Sequence, residues 1–219
     1  MSTPARARAS RKSPAERSAE IADAARGVAL EQGLAAVTLR SIAARAGVAP
    51  ALVAHYEPNM DALVASTFST IVGAEIDEVA RLIAAQPEPR RRLGTLLDTL
   101  LDGARDDVTV VWVEAWALGR RNDALAASVR DQMDAWQVVV QGVIEQGVAE
   151  AGFETDDAAA TAWQLLGMID GLNAQALVRW GDTGDRGSLI HRAVEGLLGL
   201  PRGALSAARS ASGAGRTTR

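Results

Sequence analysis

Between Thr38 and Pro58 helix-stopping residues fall so close together that only short elements fit, and this segment constrains the fold more than any other. Thr38 stands where an N-cap belongs, ahead of Leu39-Arg40-Ser41-Ile42-Ala43-Ala44-Arg45-Ala46, and Gly47 ends that helix after about two turns. Pro50 suits the first position of the next helix, because the N–H it lacks would be unpaired there anyway. That helix runs through Leu52, Val53, His55 and Tyr56 until Glu57-Pro58 stops it. Isolated helices this short are marginal in water, so packing must hold them. Ile42, Ala43, Val48 and Val53 have the spacing to lock the pair together. Upstream, from Ala15, the residues Ile21, Ala25, Val28 and Ala29 recur at three- and four-residue steps until Gly33, which predicts a preceding helix. Three helices, the last two joined by a tight Ala-Gly-Val turn, make a helix-turn-helix domain over residues 15–59.

The remainder reads as further helices, so the fold class is all-α: a three-helix N-terminal domain, then a C-terminal helical bundle over residues 60–200. Asn59 caps a helix from Met60 to about Ala85, which tethers the head to the body. Pro87 and Pro89 separate it from a helix over about 90–103, and Asp106-Asp107 opens a Trp-bearing one to about Arg120. Asn122-Asp123 starts a long helix ending near Gly152, and Thr155-Asp156-Asp157 caps another to about Trp180. The last spans about 188–199, before Pro201. Residues 1–14 read as a disordered basic arm and 201–219 as a disordered basic tail.

Ala and Leu dominate and β-branched residues rarely alternate, which supports helices over strands. Residues 1–60 carry eight Arg/Lys against five Asp/Glu, or +3; the rest carries 15 against 22, or −7, which together make the net −4. A basic head on an acidic body predicts that only the head meets a polyanion. The chain has no cysteine, and its two histidines, His55 and His191, are far apart, so no metal site is expected. Neither a Gly-rich phosphate loop nor a nucleophile–base set is present, so no catalytic residue, cofactor or enzyme activity is expected. No apolar run approaches the roughly 20 residues of a membrane span, and no apolar stretch follows the Arg-rich start as in a secretory signal. No membrane partner and a cytoplasmic location are therefore expected.

The run from Thr38 to Leu63, with its order Thr-Leu-Arg-x-Ile-Ala-x-x-Ala-Gly-Val and then His-Tyr-x-Pro, resembles the DNA-binding signature of the tetracycline-repressor (TetR) family over about residues 16–65. Trp112 and Trp116, Met133-Asp134-Ala135-Trp136, and Met168-Ile169-Asp170-Gly171-Leu172 are similar to the effector domain of the BetI-like branch. The resemblance implies about nine helices, a homodimer through the last two long helices, and ligand-gated release of a DNA operator. Ala49, Ala54, Glu57 and Met60 depart from the family's usual Ser or Thr, Tyr, Phe and Lys; the Tyr and Lys are phosphate contacts in the family, and those roles are not carried over.

By position on the two short helices, the DNA-binding candidates are Thr38, Arg40, Ser41, Arg45, Ala51, Leu52, His55 and Tyr56. Each has a plainer reading beside it: Thr38 as a cap, Leu52 as core, Tyr56 as packing against the first helix, Arg40 as a solvated surface residue. In the body, Trp112 and Trp116 share one helix face, Met133, Trp136 and Val140 form a second stripe, and Trp163, Leu166, Asp170, Asn173 and Leu177 a third. A carboxylate on an apolar stripe must be paired or meet a cation. The effector-binding candidates are therefore Trp112, Trp116, Met133, Trp136, Trp163, Asp170 and Asn173, for a small cationic or amphipathic ligand. The plainer reading makes the Trp residues core and pairs Asp170 with Arg121 or Arg179. Gly167, Gly171 and the apolar last helix predict a two-chain interface, and two-fold symmetry predicts a palindromic operator. The rival function is a helical small-molecule-binding protein with weak or no specific DNA binding.

Overall fold

The computed structural model describes residues 12–101, 103–150, 152–181 and 186–205. Among them are nine α-helices, one 3-10 turn and no strand. The first helix, α1 (Pro14–Gln32), starts one residue before the expected position because Ser13 caps it: its hydroxyl accepts from the Glu16 N–H, and the Glu16 carboxylate accepts from the Ser13 N–H. Gly33, at φ 89°, ends α1 and leads into a 3-10 turn, Leu34–Ala36, that the sequence did not reveal. In α2 (Leu39–Ala46) Thr38 is the cap, and Gly47 turns the chain in the left-handed region at φ 66°. The next helix, α3 (Pro50–Tyr56), begins without any side-chain cap, since Ala49 has nothing to offer its N–H groups. Ile21, Ala25, Val28, Leu34, Ile42 and Val53 are buried, and their packing holds these short helices.

Asn59 caps α4 (Met60–Ala84), the longest link between head and body. Its apolar face runs through Leu63, Phe68, Val72, Val79 and Ile83, all part of one core continuous from head to body. The body adds α5 (Pro89–Leu101), α6 (Asp106–Gly119), α7 (Asp123–Ala149), α8 (Ala158–Leu177) and α9 (Arg186–Leu197). The central helix is α7, which packs on α4, α5, α6 and α8; α9 lies on α5 and α8. Each large side chain fully buried here, such as Leu93, Leu97, Ile144 or Leu165, contributes about 1.5–3 kcal/mol.

The ordered body extends past the expected boundary at residue 200. Leu205 is buried, and the buried Glu195 carboxylate accepts from the N–H groups of Gly203 at 2.9 Å and Leu205 at 3.0 Å. A buried carboxylate needs such donors, so Glu195 fixes the start of what the sequence assigns to the tail. Residues 1–11 and 206–219, which hold most of the expected arm and tail, lie outside the described residues. No helix among the described residues is long and apolar enough to cross a membrane.

Candidate functional site

In the head, the eight sequence candidates separate into two groups. Thr38 and Ser41 serve each other: Ser41 N–H donates to the Thr38 hydroxyl at 3.2 Å, Thr38 N–H donates to the Ser41 hydroxyl at 3.0 Å, and that hydroxyl donates to the Ala36 carbonyl at 2.6 Å. Arg45 is also committed. Its guanidinium forms a bidentate pair with Glu31 of α1, at 2.7 and 2.8 Å, and it lies where a Cβ on Gly27 would be. That pair holds the Glu31 carboxyl below its usual range. Arg45 thus clamps α2 onto α1. Arg40, Ala51 and His55 are exposed; Leu52 and Tyr56 are half-buried, and the Tyr56 ring meets His55 edge-on at 5.2 Å. Of the eight candidates, Arg40, Ala51 and His55 are thus the exposed ones whose side chains make no hydrogen bond or ion pair among the described residues.

In the body, all seven effector candidates line one cavity of about 340 Å³ among α4, α6, α7 and α8. That size lies within the range of about 300–1,000 Å³ for small-molecule sites. Trp112 packs edge-on against Phe68 at 5.0 Å and tilts toward Trp116 at 5.7 Å, as their four-residue spacing requires. Trp136 is buried at the inner end. Met133 and Trp163 line the cavity yet are 41% and 71% exposed, so they stand at its mouth. Asn173 is partly committed to structure: its Nδ2 donates to the Leu100 carbonyl at 2.8 Å, tying α8 to α5.

Asp170 meets the cavity without a cation among the described residues; neither Arg121 nor Arg179 pairs with it. Burial pushes its carboxyl up to about 6. Two more carboxylates line the cavity, the exposed Asp134 of α7 and the buried Glu75 of α4, and the sequence reading missed Glu75. Burial raises Glu75 to about 7, against the lowering effects of Arg105 and of a hydrogen bond with Trp112. The signal was present: Glu75 interrupts the apolar stripe of Val72 and Val79 at three- and four-residue steps, as Asp170 does on α8. Rings, carboxylates and enclosure together can hold an organic cation, with the ring faces, Glu75 and Asp170 sharing its charge.

Two polar contacts that no sequence pattern marks tie the body to the head and to the first turn of the tether helix α4. Glu114 of α6 reaches back across 79 positions to accept from the Ala35 N–H at 2.7 Å. Its oxygens lie 2.7 Å from where a Cβ on Gly33 would stand, so only glycine leaves room for this approach. Asn122, which caps α7, donates from Nδ2 to the Asp61 carbonyl in the first turn of α4 at 3.2 Å. The same helix α6 therefore carries cavity rings and the Glu114 link to the head.

Comparison with known proteins agrees with this layout. Residues 21–67 match the family described as bacterial regulatory proteins, tetR family, and residues 89–199 match the BetI-type transcriptional repressor C-terminal domain. The HTH-type transcriptional regulator BetI of Rhizobium meliloti is 29% identical over 154 residues, covering 69% of this chain and 73% of its own length. The BetI regulator of Stenotrophomonas maltophilia is 32% identical over 99 residues, covering 44% and 50%. Among solved structures, a protein named as a transcriptional regulator from Saccharomonospora viridis, in complex with choline, superposes with a TM-score of 0.74 at 22% identity, over 83% of this chain and 96% of that one. One named as a TetR-family regulator from Rhodococcus sp. gives 0.71 at 19% identity, over 84% and 99%. The chain thus belongs to the TetR family of bacterial transcriptional regulators, with a BetI-type repressor domain following its helix-turn-helix head.

Proposed function

We propose that this regulator binds a palindromic operator as a homodimer in the cytoplasm and is released by a small organic cation of the quaternary-ammonium type. The observation that carries the effector class is the Trp-lined cavity with the buried Glu75 and the half-buried Asp170, the latter with no cation beside it among the described residues. A quaternary ammonium has no N–H to donate, so ring faces and nearby negative charge are the groups that recognise it. The choline bound by the Saccharomonospora viridis protein supports the same chemistry. For the homodimer, the support is exposed apolar surface just past α8 and on α9. Val178 and Trp180, which follow the end of α8, are 77% and 70% exposed and Leu189 of α9 is 46%, while a Cβ on Gly171 of α8 would meet nothing within 4 Å. A second copy laid here would bury the apolar groups and use Gly171 for close approach.

The test is selection of bound duplexes from a random DNA pool at about physiological salt, with the wild type and an Arg40→Ala, Tyr56→Ala double variant. The expected result is a palindrome enriched by the wild type and not by the variant, with choline lowering occupancy. The second reading, an effector-binding protein without strong specific DNA binding, has a particular observation behind it: α3 starts at an Ala49 that caps nothing. Tight choline binding with no enriched sequence would select that reading instead.

A further inference from the structure

Glu75 and Arg105 line two spaces at once. On one side is the effector cavity; on the other is a groove of about 750 Å³ where α1 meets the body, walled also by Arg26, Leu30, Glu78 and Asp107. Arg105 directly precedes α6, and its guanidinium is divided between two carboxylates of α4. Nη1 stands 3.8 Å from Glu75, whose side chain is 7% exposed; Nη2 stands 3.1 Å from Glu78, which is 50% exposed. The inner contact is beyond hydrogen-bond range, and the outer one is within it. So the buried acid that most needs a cation holds Arg105 by the weaker contact.

We propose that Arg105 is the cavity's resident cation: it competes with the effector for Glu75, and effector binding transfers it to Glu78 at the groove. The inference rests on reading the cavity as a cation site. An ammonium placed against Trp112 and Glu75 is a like charge to Arg105, which lines the same cavity, and such neighbours repel strongly where water is scarce. Glu78 offers a hydrated partner one helical turn away on the same face of α4. The ligand therefore binds with only the excess of its attraction to Glu75 over that of Arg105. Because Arg105 adjoins the first turn of α6, its transfer also acts on the helix that carries Trp112, Trp116 and Glu114.

Choline and tetramethylammonium titrated into the full chain, followed by Trp fluorescence at about pH 9, test this under conditions that favour ionised Glu75. Arg105→Gln is expected to tighten binding about tenfold, and Glu78→Gln, which removes the outer partner, to weaken it by about threefold or more. A residue with a merely structural role would weaken binding when removed, so the sign is decisive. Wild-type binding with an Arg105→Gln variant that binds equally or less tightly overturns the inference and leaves the cation reading standing. No binding by either protein overturns both. If circular dichroism shows Arg105→Gln unfolded, Glu78→Gln decides alone, and unchanged or tighter binding by it rejects the transfer.

Discussion

Arg40 and Arg45 stand five positions apart in the same short helix, and composition cannot distinguish them, yet the fold gives them different work. Arg45 forms a bidentate pair with Glu31 and rests over Gly27, whereas Arg40 is exposed without a partner among the described residues. Arg40→Ala is expected to lower the slope of log affinity against log salt by about 0.9, the loss of one phosphate contact. Arg45→Ala is expected to leave that slope unchanged and lower the thermal midpoint, because it loosens α2 from α1. Fluorescence anisotropy of a labelled operator across a salt series checks both; an equal loss of slope in Arg45→Ala would return Arg45 to the DNA surface. The Thr38 cap was legible from its place before Leu39, but Glu31 as the partner of Arg45 was not, since the pair spans 14 positions and two helices.

Helix α6 is the element through which cavity and head meet. Thr109, Trp112, Val113 and Trp116 line the cavity, and Glu114 holds the Ala35 N–H of the turn after α1. The tether α4 also reaches the cavity through Glu75, and α6 supplies a second link from ligand site to head. Glu114→Ala removes the charge-assisted hydrogen bond and leaves the rings in place. It is expected to keep choline affinity within about twofold while reducing choline-induced operator release by about fivefold or more, in the range of one coupling free energy. Parallel titrations of ligand binding and operator release measure the two quantities separately. Undiminished release in the variant would assign the coupling to α4 and the Asn122 contact alone.

Over the whole molecule, the proposed dimer seam on α8 and α9 is what would let two heads reach a palindrome together. Gly171 of α8 is exposed, does not line the effector cavity, and has open space where a Cβ would be. Gly171→Arg should therefore retain the helical content of the monomer while placing a charge in the middle of the seam. Sedimentation is expected to show the wild type as a dimer and the variant as a monomer, with operator affinity lowered by about a hundredfold as the second head no longer assists the first. A variant that remains dimeric would place the two-fold axis elsewhere.

What the sequence determined by itself was local, and even there it missed the Ser13 cap and the Leu34–Ala36 turn. Helix starts at Thr38, Asn59, Asn122 and Asp157 follow from side chains that reach N–H groups three residues on, and Gly33 and Gly47 mark ends by backbone freedom. The three aromatic and polar stripes of the cavity were legible for the same reason, since helical periodicity alone puts Trp112 beside Trp116 and Asp170 on an apolar face. Tertiary structure decided what no period encodes. It joined those stripes around one space, added Glu75 from a fourth helix, divided Arg105 between two acids, and brought Glu114 to Ala35. These contacts depend on how helices cross, and crossing is set by the packed core as a whole, so residues far apart in sequence acquire partners only once the chain has folded.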